Sequence, residues 1–208
     1  MAYHQPSQVI GFHSCDKEVG IKVLNGELEL NPSDNAWDWL GGGVYFWEQN
    51  PERAVQYAIE CANGQQKNKK RIGTPFVIGS TIELGNCLNL LDPKAMEIVV
   101  KAHAVLLETL KNTGESLPVN DGPKRNLDCA VIKMAHEVAR HEGLIKYDTV
   151  RCAFAEGKAA YAGSNFSMRG HIEVCVINPD MIKGYFLPRP LELFNPYLKK
   201  DFIPKAAA

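Results

Sequence analysis

Three consecutive glycines at positions 41–43 constrain the fold of this chain more than any other feature of its sequence. A residue without a Cβ lets the backbone turn and approach another group closely, so the triplet is typical of a hinge. Residues 44–47 are apolar and aromatic and predict a short strand. Asn50 and Pro51 then begin a predicted helix, because proline suits the first helical turn. The segment therefore predicts a hinge, a strand and a helix in immediate succession.

Short strands and unevenly spaced helices are predicted along the rest of the chain. Further strands are predicted at residues 8–13, 76–84, 147–154, 172–177 and 182–187. Helices are predicted at residues 16–24, 51–62, 93–109 and 127–141. This mixture predicts an α+β fold with a largely antiparallel sheet, in a single domain that covers residues 1–208. No G-x-G-x-x-G follows a strand, so the sequence does not predict a Rossmann site.

Composition excludes several classes of protein. The net charge of −1 provides no overall basic field of the kind that drives non-specific nucleic-acid binding. The N-terminal residues lack the layout of a signal peptide, and the apolar runs are too short to cross a bilayer. We therefore expect a cytoplasmic protein without membrane contact. The six cysteines are scattered and form no C-x-x-C pair, so we expect neither a disulfide framework nor a bound metal.

Three short motifs carry residue types suited to binding or catalysis. His13 stands at the end of the first strand, Tyr45 follows the glycines with Tyr57 on the next helix, and Glu173 begins a late strand. Each residue also has an ordinary interpretation. The histidine can be a polar strand end and the tyrosines can belong to the core. The glutamate can face solvent on a half-exposed strand, since burying an unpaired carboxylate is costly.

Taken in order, these motifs resemble the diphtheria-toxin and poly(ADP-ribose)-polymerase branch of the ADP-ribosyltransferases. That branch carries a His, a Tyr and usually a Glu on three strands, matched here by His13, Tyr45 and Glu173. The most specific match is the Tyr-Phe pair after glycines, followed by a helix that carries the pattern Ala-x-x-Tyr at Ala54 and Tyr57. Ser14 departs from the pattern, because the branch usually has glycine there.

The resemblance implies a split antiparallel sheet with flanking helices and NAD⁺ as the substrate. It implies that Tyr45 and Tyr57 hold the flat, cationic nicotinamide ring between them. His13 would bond a hydroxyl of the adenosine ribose, and the backbone of Ser14 would bond the carboxamide. Glu173 would bond the 2′-hydroxyl of the other ribose and stabilise the positive charge that develops when nicotinamide leaves.

Several neighbouring residues have two interpretations. Gly43 lets the backbone approach the ligand in the interpretation that the resemblance favours. Arg151 can bind the pyrophosphate of NAD⁺ in a bidentate manner, or pair with Asp148 or another acid. Glu156, in the loop before the third motif, competes with Glu173 for the acid role or is a solvated turn residue.

Three further features stay open in the same way. His171 lies on the same strand face as Glu173 and either contacts the acceptor or has no role. The basic residues at positions 67–71 form either a solvated loop or a phosphate contact. Trp37 and Trp39 either pack in the core or cover the site and stack a base.

The function that follows is transfer of ADP-ribose from NAD⁺ to a macromolecular acceptor, either protein, RNA or DNA, with release of nicotinamide. Several short segments, among them Asp38-Trp39-Leu40-Gly41, also resemble a bacterial family of such enzymes. Members of that family are associated with toxin–antitoxin and phage-defence roles. An antitoxin is therefore a possible partner. The alternatives are an NAD⁺ glycohydrolase, an inactive module that binds NAD⁺ or ADP-ribose, and transfer of a 2′-phosphate from RNA to NAD⁺.

Overall fold

A seven-stranded mixed sheet organises the part of the chain that the computed structural model describes, residues 6–65 and 72–198. The nine strands of this part are β1 (Gln8–Asp16), β2 (Val44–Glu48), β3 (Pro75–Glu83), β4 (Cys87–Asn89), β5 (Asn120–Asp121), β6 (Lys124–Arg125), β7 (Thr149–Phe154), β8 (His171–Val176) and β9 (Ile182–Phe186). The order in the large sheet is β4-β7-β8-β2-β1-β3-β9, and β5 and β6 form a separate hairpin. The basic run at positions 67–71 lies outside the described residues.

Helices flank the sheet, and their ends follow local signals in the sequence. They are α1 (Lys17–Leu24), α2 (Pro51–Ala62), α3 (Pro93–Thr113), α4 (Asn126–His141) and α5 (Leu191–Phe194). The side chain of Asn50 caps α2 by accepting a hydrogen bond from the Arg53 amide at 2.9 Å. Asp92 caps α3 in the same way, and α3 ends where Gly114 adopts the left-handed conformation with φ 74°.

The sheet divides between β1 and β2. These strands pair at only two positions, Gly11 with Glu48 and Phe12 with Trp47. Beyond that point β1 continues along β3, while β2 continues along β8 as far as the pair of Val44 and Val176. The result is one half built from β9, β3 and β1 and another built from β2, β8, β7 and β4.

The two faces of the sheet have different cores. Phe46, Ile78 and Val174 pack with α1 side chains on one face. On the other face the α2 cluster contains Trp47, and the α3–α4 cluster packs against Tyr45. These two residues are two positions apart on β2 and therefore project to the same side. The α2 and α3–α4 layers thus meet along β2, on the face that carries Glu173, the register partner of Trp47.

The predicted α+β class with flanking helices is confirmed, and the predicted helix at residues 51–62 has the bounds of α2. The helix predicted at residues 93–109 was too short, because Gly114 provides the stop. Strand β4, the β5–β6 hairpin and α5 were not predicted, because each has too few residues for a periodic pattern. Strand β4 pairs in parallel with β7, so the sheet is not wholly antiparallel. No described helix is both long and apolar enough to cross a membrane.

Candidate functional site

The residues of the three motifs lie on three neighbouring strands, β1, β2 and β8. His13 reaches across the division of the sheet, where its Nδ1 donates a hydrogen bond to the Tyr45 carbonyl at 2.8 Å. Tyr45 is the register partner of Cys175. Glu173 is two residues from Cys175 and therefore lies on the same face. Folding thus puts the three motifs on neighbouring strands, and Tyr45 and Glu173 share a face. His13 projects to the opposite face, because the residue before it, Phe12, is the register partner of Trp47, and the His13 ring lies 5.7 Å from that of Phe46.

The Glu173 carboxylate is held at both oxygens. Its Oε2 accepts a hydrogen bond from the indole Nε1 of Trp39 at 2.6 Å. Its Oε1 lies 3.1 Å from Nε2 of His171. A carboxylate has about four lone-pair positions, so it can accept a further hydrogen bond from a ligand hydroxyl. The arrangement is a fixed, largely buried carboxylate that keeps acceptor capacity.

His171 has an acceptor at each ring nitrogen. Nδ1 lies 2.7 Å from the carbonyl oxygen of Arg169, and Nε2 faces Glu173. Both nitrogens satisfy these contacts only when both carry hydrogen, which is the cationic form. Burial opposes that charge, but the hydrogen bonds with Glu173 and with the Arg169 carbonyl raise the pKa of His171 above its ordinary value. The same contacts hold the His171 ring in place beside the Glu173 carboxyl group.

Glu156 approaches the same histidine from the other side. Its Oε2 lies 3.9 Å from Nδ1 of His171. The carboxylate is bound by the Arg53 guanidinium through two hydrogen bonds of 2.8 and 2.7 Å. Burial works against the charge of Arg53, but the bonds with Glu156 raise the pKa of the guanidinium. The Arg53 guanidinium therefore occupies both oxygens of Glu156, whereas Glu173 receives one hydrogen bond from the Trp39 indole and one contact from His171.

The two tyrosines have different neighbours. The Tyr45 hydroxyl donates to the Gly41 carbonyl at 2.8 Å and accepts from the Leu40 amide at 3.0 Å. The Tyr57 ring packs against Trp47, with 5.0 Å between ring centroids. Burial raises the pKa of both phenols, so both stay neutral. Trp47 rather than Tyr45 is the ring beside Tyr57, and the nicotinamide sandwich of the two tyrosines stays a prediction.

Ser14 and Gly43 have structural contacts of their own. The Ser14 hydroxyl donates to the Ala54 carbonyl at 2.5 Å and ties β1 to α2. A Cβ on Gly43 would lie 2.6 Å from both Cys175 Sγ and the Val176 carbonyl oxygen. Glycine at this position is therefore required by the close approach of β8 to β2.

Arg151 is not brought together with Glu173. It is the register partner of Val174, the residue next to Glu173, so the two side chains project to opposite faces of the sheet. Its guanidinium forms hydrogen bonds of 2.6 and 2.7 Å with the Glu48 carboxylate. Of the two interpretations drawn from the sequence, this placement favours pairing with an acid, and the acid is Glu48 rather than Asp148.

Arg53 contributes to the site although the sequence did not indicate a role for it, and Trp39 contributes through a hydrogen bond that was not predicted. Arg53, whose guanidinium carbon lies 5.7 Å from the Trp47 ring centroid and 5.5 Å from that of Tyr57, was not considered. A signal existed, because Arg53, Tyr57 and Glu60 recur at helical spacing along α2. Trp39 was predicted either to pack in the core or to cover the site and stack a base, because nothing local indicates that its N–H meets a carboxylate.

Comparison with other proteins identifies no relative of this chain. No protein-family model, curated protein or solved structure matches it. Among the described residues, no group of three or more His, Cys, Asp or Glu side chains is arranged to hold a metal ion. The groups near Glu173 are its own carboxylate, held at both oxygens, the His171 ring and several aromatic rings. Such a set suits an organic cation or a centre that becomes cationic during reaction.

Proposed function

We propose that this chain is an NAD⁺-dependent ADP-ribosyltransferase. The observation that carries the proposal is the adjacency of β8, β2 and β1, which puts Glu173, Tyr45 and His13 on three neighbouring strands, with His13 bonded to the Tyr45 carbonyl. The resemblance described above implies such a trio on a sheet that divides, and the pairing of β1 with β2 at only two positions supports it. The same resemblance supports a role as a bacterial toxin or phage-defence effector.

Glu173 is the proposed catalytic carboxylate of the reaction. In NAD⁺ the bond between C1″ of the ribose and the nicotinamide nitrogen breaks, and the nitrogen keeps the electron pair. Positive charge then develops on the ribose, where a carboxylate bonded to the 2′-hydroxyl stabilises it. The hydrogen bonds from Trp39 and His171 fix the orientation of Glu173 before the substrate binds.

The acceptor completes the transfer. A lone pair of its nucleophilic atom forms the new bond to C1″, and the proton of that atom passes to Glu173 or to water. Glu156 is less suited to this role, because the Arg53 guanidinium occupies its carboxylate through two hydrogen bonds. The structure thus gives a physical reason to prefer Glu173 where the sequence left two acids open.

The aromatic side chains near Glu173 support binding of the nicotinamide cation. Trp47 is opposite Glu173 in the register of β2 and β8, and its ring packs against Tyr57. Aromatic faces attract flat cations by about 0.5–2 kcal/mol. We propose that the nicotinamide ring binds beside Tyr45 and Tyr57, with Trp47 as a third ring that the resemblance does not imply.

The proposal is tested with NAD⁺ labelled on the adenylate, incubated with the protein alone and with separate protein, RNA and DNA fractions. We expect label in one fraction and free nicotinamide. Glu173→Gln should reduce the rate by about 10²–10³-fold. Glu156→Gln should reduce it far less at a temperature where the variant is folded. Glu83→Gln is the matched control, because Glu83 forms only an exposed pair with Lys183.

The outcomes separate the alternatives. Nicotinamide and free ADP-ribose without labelled acceptor would identify a glycohydrolase. Full activity in Glu173→Gln together with loss of activity in Glu156→Gln would show that Glu156, and not Glu173, is the catalytic carboxylate. Absence of NAD⁺ consumption in every fraction would overturn the proposed reaction and favour a binding module.

A further inference from the structure

A cavity of about 380 Å³ opens between α3 and α4, on the face of the sheet that carries Glu173. Its volume is within the range of about 300–1,000 Å³ that is typical of small-molecule sites. Apolar side chains form most of the wall, among them Met96 and Val100 from α3 and Val131 from α4. Val100 is 66% exposed although it is apolar, and Met96 is also exposed. A flat apolar group placed here would cover both side chains.

The polar part of the wall is small and acidic. The ionisable side chains in this wall are those of Asp128, His103 and Cys152. No lysine or arginine of the described chain lines the cavity. The Asn120 amide donates to Oδ1 of Asp128 at 2.9 Å and fixes the carboxylate. A carboxylate without a facing cation favours a ligand that donates hydrogen bonds or carries positive charge, and it disfavours anions.

The cavity is coupled to Glu173 through two residues. Trp39 belongs to its wall, and the indole Nε1 of Trp39 donates to Glu173. Cys152, also in the wall, is the register partner of Glu173 on the neighbouring strand. A group in the cavity would therefore be one side chain away from the Glu173 carboxylate.

We propose that this cavity is a binding site for an aromatic ring that bears an amine, with the ring against Trp39 and the amine directed to Asp128. Tyr45, Tyr57 and Trp47 are not among the residues that line the cavity, and the inference does not depend on the reaction proposed above. Its occupant would change the surroundings of the Trp39 indole, so binding at this site can be observed directly.

The test uses the indole N–H resonances of the protein labelled with ¹⁵N-tryptophan. The chain has three tryptophans, so Trp37 and Trp47 serve as internal controls, and each resonance is assigned by a Trp→Phe variant. Benzylamine is the probe, compared with benzyl alcohol and benzoate. We expect benzylamine to shift the Trp39 resonance in a saturable way, with a Kd of about 1 mM, a typical strength for so small a ligand. Benzoate should bind at least about tenfold more weakly.

Two variants locate the site. Val100→Phe should narrow the mouth and weaken benzylamine binding about tenfold, since it fills space that the ring would use. Val105→Phe is the matched control on the same helix, because Val105 is exposed and outside the cavity wall. Asp128→Asn, which keeps the oxygen that Asn120 bonds, should remove the preference for benzylamine over benzyl alcohol.

Three results would overturn the proposal. The first is a Trp39 resonance that none of the three probes shifts in a saturable way. The second is equal benzylamine affinity in Val100→Phe and Val105→Phe. The third is a preference for benzylamine that survives Asp128→Asn. Loss of NAD⁺ turnover plays no part in these readouts, so failure of the proposed reaction and failure of this site are distinguishable.

Discussion

Removal of the Arg53 guanidinium should destabilise the protein more than any other single charge deletion around the site. Its side chain is 5% exposed, and it forms two hydrogen bonds with Glu156 and a 3.5 Å contact with Glu60. Arg53→Met keeps the length of the stem but leaves both carboxylates without this cation. Loss of one partner from a buried pair costs about 3–5 kcal/mol. Because Glu156 is 29% exposed and regains water, we expect about 3 kcal/mol.

The assay is urea and thermal unfolding of the wild type, Arg53→Met, Glu156→Gln and the double variant. For a domain of this size, 1 kcal/mol corresponds to about 2–4 °C, so Arg53→Met should lower Tm by about 6–12 °C. The two single changes share one interaction, so the double variant should be more stable than their sum predicts by at least about 1 kcal/mol.

Arg169→Met is the matched control. Arg169 also pairs with Glu60, at 2.8 Å, but its side chain is 44% exposed. Surface pairs contribute about 0–1 kcal/mol, so this variant should unfold near the wild-type midpoint. Equal destabilisation by Arg53→Met and Arg169→Met, or additive effects in the cycle, would refute the reasoning that burial makes the Arg53–Glu156 pair strong.

Three further predictions concern single groups. Tyr45→Phe leaves the Leu40 amide without its acceptor, so it should reduce the free energy of unfolding in urea by about 1–3 kcal/mol. An unchanged urea midpoint would contradict the hydrogen bonds at Tyr45. The pKa of His171 is raised in the fold, so its charge stabilises the protein below the unfolded value of about 6.5, and this contribution is lost as pH rises through the folded pKa. The Tm difference between wild type and His171→Asn should therefore shrink from pH 5 to pH 9, and a difference that grows would show the wrong sign. Burial raises the pKa of Cys152 to about 11, so this thiol should be alkylated about a hundredfold more slowly at pH 7 than a free thiol. Peptide mass spectrometry measures the alkylation rate, which should increase with pH.

Local signals were sufficient for much of the secondary structure. Asn50 and Pro51 marked the start of α2, and the apolar period of that helix gave its end. The alternating pattern of residues 76–84 and the largely apolar run of residues 172–177 predicted β3 and β8 to within a few residues. The three residues of β4 are too few to carry a periodic signal, so neither this strand nor its pairing with β7 could be predicted.

The order of the motifs along the chain could be recognised from the sequence, but the distances and orientations between them could not. Trp39 and Glu173 are 134 residues apart, and Arg53 and Glu156 are 103 residues apart. Whether such pairs meet depends on which strands become neighbours and on their register. A shift by one residue would move Glu173 to the other face of the sheet, the face on which Arg151 lies.

The sequence by itself therefore determined the types of element, their approximate bounds and the residues capable of chemistry, because caps, turns and periodicity act over a few residues. Only the tertiary structure decided that Glu173 is held by Trp39 and His171, that Glu156 is bound by Arg53, and that the sheet divides beside His13. The physical reason is that ion pairs and strand register are set by packing between distant segments, and packing is a property of the whole fold.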